Sequence, residues 1–138
     1  MTAKLAAHSH PIRVYYEDTD LAGIVYYANY LKFIERARSE WVRARGVDQA
    51  ALKAGRGIVF AVRRLEADYL KPAKFDDALQ VTTELLALGG ARIELRQEVW
   101  RGEERLFTAA VTLVCLHEGG QAARIPAEVR GALAPMRH

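Results

Sequence analysis

Helical spacing of apolar residues is sustained over one long segment of this 138-residue chain, and nearly everything after it alternates with the period of a strand. In residues 30–45, Tyr30, Ile34, Ala37 and Trp41 recur at helical spacing, and Leu31, Phe33 and Val42 widen the apolar stripe. Lys32, Glu35, Arg36, Arg38, Glu40 and Arg43 form the charged opposite face. Asn29 is the N-cap candidate, and Gly46 is the expected stop after basic residues that suit a helix C-terminus. Asp48 can cap one or two further turns before Gly57.

Strand patterns occupy the rest. Ile12, Val14 and Tyr16 alternate with Arg13 and Tyr15 ahead of the helix. After it, residues 58–70 begin apolar and then set Leu65, Ala67 and Tyr69 against Arg64, Glu66 and Asp68. Lys71-Pro72-Ala73-Lys74 breaks that strand. Leu79, Val81, Thr83, Leu85 and Ala87 form the inner row of the next, and Gly89-Gly90 reads as a two-residue hairpin. Ile93, Leu95 and Val99 alternate with Glu94, Arg96 and Glu98. Residues 105–116 are apolar on both faces, as expected of a central strand or a subunit contact. Pro126 opens a short helical segment with Val129 and Leu133. The order is strand, helix, four strands: an α+β chain in which one antiparallel sheet covers one long helix. One helix leaves apolar rows and sheet edges uncovered, so the monomer is expected to pair with a copy of itself.

Composition narrows the function classes. At this length, with 51% hydrophobic residues, the chain is expected to be a single domain over residues 1–138, with a packed core over about 12–133. The net charge of +3 suits an anionic ligand, but there is no clustered basic run with interleaved aromatics, so nucleic acid is not expected. No apolar run approaches the ~20 residues of a membrane span, and residues 1–10 lack the apolar core of a signal peptide. The lone Cys115 cannot form an intramolecular disulfide, which fits the cytoplasm, and it has no adjacent activating group. His8, His10, His117 and His138 show no metal-ligand spacing and read as surface residues in tails or turns; no metal is expected.

Asp20 carries the chemistry. It stands a few residues before an apolar turn that runs straight into the helix. A carboxylate serves as base or nucleophile, and the free N–H groups of a helix start hold a developing oxyanion. Together they suffice for acyl transfer. Glu17 and Asp18 read as turn residues beside it.

The stretch Asp20-Leu21-Ala22-Gly23-Ile24-Val25-Tyr26-Tyr27-Ala28-Asn29-Tyr30 resembles the signature of the hotdog-fold acyl-CoA thioesterases, in particular the 4-hydroxybenzoyl-CoA thioesterase family and its Tol-Pal-associated bacterial members. Tyr69-Leu70-Lys71-Pro72-Ala73-Lys74-Phe75-Asp76-Asp77 and Arg124-Ile125-Pro126 also match, so the likeness runs from about Ile12 to Leu133. The resemblance implies a hotdog fold, a five-stranded antiparallel sheet wrapped around one long central helix. It implies hydrolysis of an acyl-CoA thioester to a free acid and CoA, with Asp20 as the catalytic carboxylate, Gly23 as the motif glycine and the Tyr27 backbone N–H polarising the carbonyl. Many Tol-Pal-associated relatives have a histidine where this chain has Tyr27, and a phenol does not carry protons near pH 7 as imidazole does. They have Ser or Thr where this chain has Arg92.

Asp20 either attacks the carbonyl, forming a mixed anhydride, or deprotonates a water. The chemistry needs no metal or redox cofactor; coenzyme A is part of the substrate. Lys71, Lys74 and Arg92 are candidates for its phosphates, with Arg63 and Arg64 behind them. Asn29 and Tyr26 are the substrate-side candidates within the motif, with ordinary alternatives as a cap and a core ring. The expected partners are the acyl-CoA, a second copy or three further copies of the chain, and an acyl carrier protein. Two other readings are a hotdog dehydratase, disfavoured because no histidine falls in the motif, and a non-catalytic acyl-CoA or acyl-carrier binding module.

Overall fold

The computed structural model describes residues 7–134; residues 1–6 and 135–138, His138 among them, lie outside the described residues. Five strands form one sheet: β1 (His8–Arg13), β2 (Ile58–Tyr69), β3 (Ala78–Leu88), β4 (Arg92–Arg101) and β5 (Glu104–His117). Their spatial order is β1-β3-β4-β5-β2, antiparallel throughout. The helices are α1 (Asn29–Ala44), α2 (Gln49–Arg56) and α3 (Ala127–Leu133). The longest, α1, lies against β1, β3 and β4, and α2 packs on β2, so the helical cover is not left to a single helix.

The apolar stripe of α1 is buried at Tyr30, Phe33, Ile34, Ala37, Trp41 and Val42. Leu31, expected to widen it, is 40% exposed, because it falls one step round the helix from Tyr30 and away from the sheet. Gly46 takes φ +82° and ends the helix, where the Arg45, Gly46 and Val47 N–H groups donate to carbonyls of its last turn. Asp48 caps α2 as expected, with its Oδ1 accepting from the Ala51 N–H at 3.0 Å.

The facing row of the sheet consists of Leu79, Val81, Thr83, Ile93, Leu95, Val99, Val111 and Leu113, all buried. Gln97 is fully buried in the same row. Its amide N–H donates to Ile34 O and Thr83 Oγ1, both at 2.9 Å, and its oxygen accepts from Arg38 at 2.9 Å. Arg38, placed by periodicity on the solvated helix face, instead reaches the sheet here, and burial pulls its pKa down. Ala87 is exposed because a bulge between Leu85 and Ala87 shifts the register.

Three further expectations change. The first strand ends at Arg13, and Tyr16 stands 82% exposed in a 3-10 turn over Tyr16–Asp18. The Asp18 carboxylate causes this: it accepts from the Tyr15 N–H at 2.8 Å and folds the chain away from the sheet. The Gly89-Gly90 hairpin is wider than two residues, with Gly89 N–H donating to Arg92 O at 2.7 Å and Ala91 O accepting from the Cys115 N–H at 2.7 Å. His8 and His10 are not in a tail; they lie in β1, opposite Thr83 and Val81.

β5 lies inside the sheet between β4 and β2, which explains its two apolar faces. The edges differ in character. β1 is six residues long and contains Pro11, whereas β2 is twelve residues long.

Candidate active site

The residues from Asp18 to Tyr26 fold back on themselves. Tyr26 N–H donates to Asp18 O, Thr19 bridges Val25, and Asp20 N–H donates to Ile24 O at 2.9 Å. The closing turn needs Gly23 at φ +82°, a conformation glycine adopts without the Cβ clash of other residues. Asp20 is exposed, and its Oδ1 accepts from the Ala22 N–H at 2.9 Å, which fixes the side chain over the turn.

At the other end of this small ladder the chain enters α1. Tyr26 O accepts from the Asn29 N–H at 2.8 Å, so the peptide that carries the Tyr27 N–H is held at its carbonyl side. The Tyr27 N–H itself has no acceptor among the described residues. Asn29 is not the N-cap. It is the first residue of α1, and its side chain donates to Asp18 O at 3.0 Å, tying the helix start to the 3-10 turn. Tyr26 is not a core ring; it is exposed and its ring lies 5.0 Å from that of Tyr27, itself 62% exposed.

A second segment, residues 70–77, buttresses the first. Val25 N–H donates to Ala73 O at 2.8 Å, Ile24 bridges Lys74, and the Ala73 N–H donates to Tyr30 Oη at 3.0 Å. Arg101 holds this segment from below, bonding Asp77 at 2.8 Å, Pro72 O at 3.3 Å and Glu104 at 2.7 Å. Glu104 also pairs with Lys71 at 2.9 Å, and hydrogen bonds from Arg101 and Lys71 hold its carboxyl at about 2.

Between the two segments opens a largely apolar cavity of about 300 Å³, lined by Ile24, Val25, Tyr27, Tyr30, Tyr69 and Leu70, with Lys71 and Pro72 completing it. A larger concavity, about 770 Å³, lies on the sheet face turned away from α1, among Glu66, Asp68, Arg96, Glu98 and Arg105, and none of the motif residues lines it.

The sequence candidates therefore separate. Asp20, Gly23, Tyr26, Tyr27 and Asn29 share one turn, and Lys71 and Lys74 stand on the segment packed against it. Lys71 is already engaged by Glu104. Arg92 opens β4, whereas Arg101 at the other end of that strand touches the site segment; Arg92 is thus about 30 Å away along the strand. Cys115 is buried, and burial pushes its thiol up, as an inert core residue. Tyr30, Tyr69, Arg101 and Glu104 were missed as site residues. Inward alternation at Tyr69 and the helical phase of Tyr30 were the available signals, while the Arg101–Glu104 pair had none beyond opposite charges at a turn.

Among the described residues no group of three or more His, Cys, Asp or Glu is arranged to hold a metal ion. No helix among them is long and apolar enough to cross a membrane.

Residues 22–108 match the family model of the thioesterase superfamily. The chain is 42% identical over 125 residues to the acyl-CoA thioesterase YbgC of Haemophilus influenzae, covering 90% of this chain and 92% of that protein. The acyl-CoA thioester hydrolase YbgC of Escherichia coli is 42% identical over 104 residues, 75% of this chain and 77% of its own length. Among solved structures, a probable thioesterase from Bartonella henselae superposes with a TM-score of 0.85 at 39% identity, covering 88% of this chain and all of that one. An α+β chain with this sheet, this helix start and these relatives belongs to the thioesterase superfamily and has its hotdog fold.

Proposed function

We propose that the protein hydrolyses an acyl-CoA thioester to a free carboxylic acid and CoA, with Asp20 as the carboxylate that acts on the thioester. The observation that carries this reading is the joint placement of Asp20 and the unengaged Tyr27 N–H on one small ladder beside an apolar cavity. The relatives named above, thioesterases acting on acyl-CoA by their names, support the same substrate class.

In one route the Asp20 carboxylate attacks the carbonyl carbon and the C–S bond breaks. The CoA sulfur leaves as thiolate and takes a proton from solvent, and water then hydrolyses the mixed anhydride. In the other, Asp20 takes a proton from a water that attacks the carbonyl carbon, the C–S bond breaks, and the departing CoA thiolate takes that proton back from Asp20. Both routes develop negative charge on the carbonyl oxygen. The Tyr27 N–H, reinforced by the dipole of α1, is the donor for it, and one such donor is typically worth ~3–4 kcal/mol in the transition state. Neither route uses a metal or redox cofactor.

The cavity takes the acyl group or the pantetheine arm, and Lys74 stands near its rim for a phosphate. Lys71 serves only if it exchanges Glu104 for the ligand. Arg92 reaches such a site only from another copy of the chain. The long edge strand β2 supports a homodimer, because twelve residues of strand edge invite pairing with a second copy. Two such dimers would make the tetramer. A cytoplasmic location fits the single reduced cysteine. An acyl carrier protein in place of CoA would present the same thioester.

The test is thiol release from acyl-CoAs of C2 to C18 together with benzoyl- and 4-hydroxybenzoyl-CoA, for the native protein and Asp20→Asn. Turnover by the native protein that disappears in the variant is the expected result. Acyl-CoA bound without turnover would overturn it in favour of a binding module or an acyl-carrier substrate.

A further inference from the structure

We propose that Tyr69 is a positioning residue, whose hydroxyl locks the turn bearing the Tyr27 N–H at the start of α1. The inference rests on the thioesterase reading and names a positioning residue for the same site.

The geometry is specific. Tyr69 is the last residue of β2, and its hydroxyl donates to the carbonyl oxygen of Tyr27 at 2.9 Å. That carbonyl belongs to the peptide that follows the Tyr27 Cα. The peptide that precedes it, which carries the Tyr27 N–H, is held through Tyr26 O by the Asn29 N–H at 2.8 Å. Both peptides flanking one Cα are therefore anchored, so φ and ψ of Tyr27 are fixed together. A donor that must meet a developing oxyanion works best when it cannot rotate, because no reorganisation is then spent during the reaction.

The ring of Tyr69 is held as firmly as its hydroxyl. It meets Tyr30, Phe107 and Tyr27 edge to face, with centroids 5.4, 5.1 and 6.2 Å apart. Tyr30 is stacked on Phe107 at 5.0 Å, and its hydroxyl accepts from the Ala73 N–H. The sheet thus sets the ring, and the ring sets the turn. Partial burial pushes the Tyr69 hydroxyl above its ordinary pKa, with Tyr27 and Tyr30 adding to the shift. The group therefore remains a protonated donor throughout the neutral range. Because Tyr69 also lines the cavity, it faces the ligand without supplying a reacting atom.

Tyr69→Phe removes only the hydroxyl and keeps the ring contacts. The expected result is a fall in kcat of about tenfold with KM changed less than about twofold, since the donor is displaced rather than deleted. A merely structural role would not give that split. Amide hydrogen exchange supplies a second readout independent of turnover. The Tyr26 and Asn29 amides, both bonded within the turn, should exchange faster in the variant, while those of β4 and β5 stay unchanged. Native exchange at Tyr26 and Asn29 overturns the proposal, as does KM rising with kcat unchanged. If the native protein turns over no acyl-CoA, the thioesterase reading fails by itself, and the exchange measurement still decides whether Tyr69 holds the turn.

Discussion

Gly23 and Gln97 show how single residues hold the site and the core beneath it. At φ +82° Gly23 closes the turn that presents Asp20, and a Cβ there would meet nothing within 4 Å. Gly23→Ala should therefore cost only the left-handed backbone penalty, about 1–2 kcal/mol in denaturant unfolding, with no steric addition. Any excess in lost kcat would report displacement of Asp20. Gln97 has the opposite character: it is fully buried, and its side chain bonds Arg38, Ile34 O and Thr83 Oγ1. Gln97→Leu strands the Arg38 guanidinium and should lower stability by about 2 kcal/mol, measured by the same unfolding experiment. Gly23 is legible because a motif glycine after Asp20 needs a turn. Gln97 is not, because nothing within β4 distinguishes a buried amide from an exposed one.

Among the elements, α1 and α2 were legible for local reasons. Trp41 lies at helical phase with Tyr30, Ile34 and Ala37, and Asp48 stands three residues before the amide it caps. Asp48→Ala should cost about 1 kcal/mol and leave kcat unchanged, since α2 contributes nothing to the cavity beside the motif. Unfolding midpoints beside steady-state rates check both halves of that expectation. Asn29 shows where local reasoning failed. An asparagine ahead of an apolar helix is a good cap, yet its side chain donates to Asp18 O eleven residues earlier. The 3-10 turn that presents this carbonyl exists because Asp18 bonds the Tyr15 N–H, an arrangement that the alternation of Ile12, Val14 and Tyr16 concealed.

For the whole molecule, part of the acid limb of stability should trace to the Arg101–Glu104–Lys71 cluster. Glu104 in the fold is held at about 2, below the ordinary 4.5, so the folded state favours its ionised form. Its contribution is then full above about 4.5 and is lost as pH falls toward 2. Because the group is exposed, the effect is small. Glu104→Gln should unfold at lower urea than the native protein at pH 7, and the gap should close near pH 2. At this scale too, the twelve-residue β2 edge predicts that the native protein sediments as a multiple of the chain mass. A monomer at micromolar concentration would remove the only route by which Arg92 meets the motif.

Several features followed from the sequence by itself: the α1 stripe, the four strands after it with their approximate ends, the turn at Gly23, and Asp20 set before a helix start. Each depends on neighbours two to four positions away, where the backbone period dictates which side chains share a face. Other features waited for the tertiary structure. Tyr69 meets Tyr27 across 42 residues, Tyr30 meets Ala73 across 43, and Arg101 reaches Asp77 across 24. Such contacts depend on strand register and on how α1 lies over the sheet. A bulge of one residue, like that between Val62 and Arg64 in β2, changes which side chains face inward from that point on. Periodicity supplies the alternation but not its phase after a bulge, so only the folded chain could bring the Tyr69 hydroxyl to the turn that carries the donor.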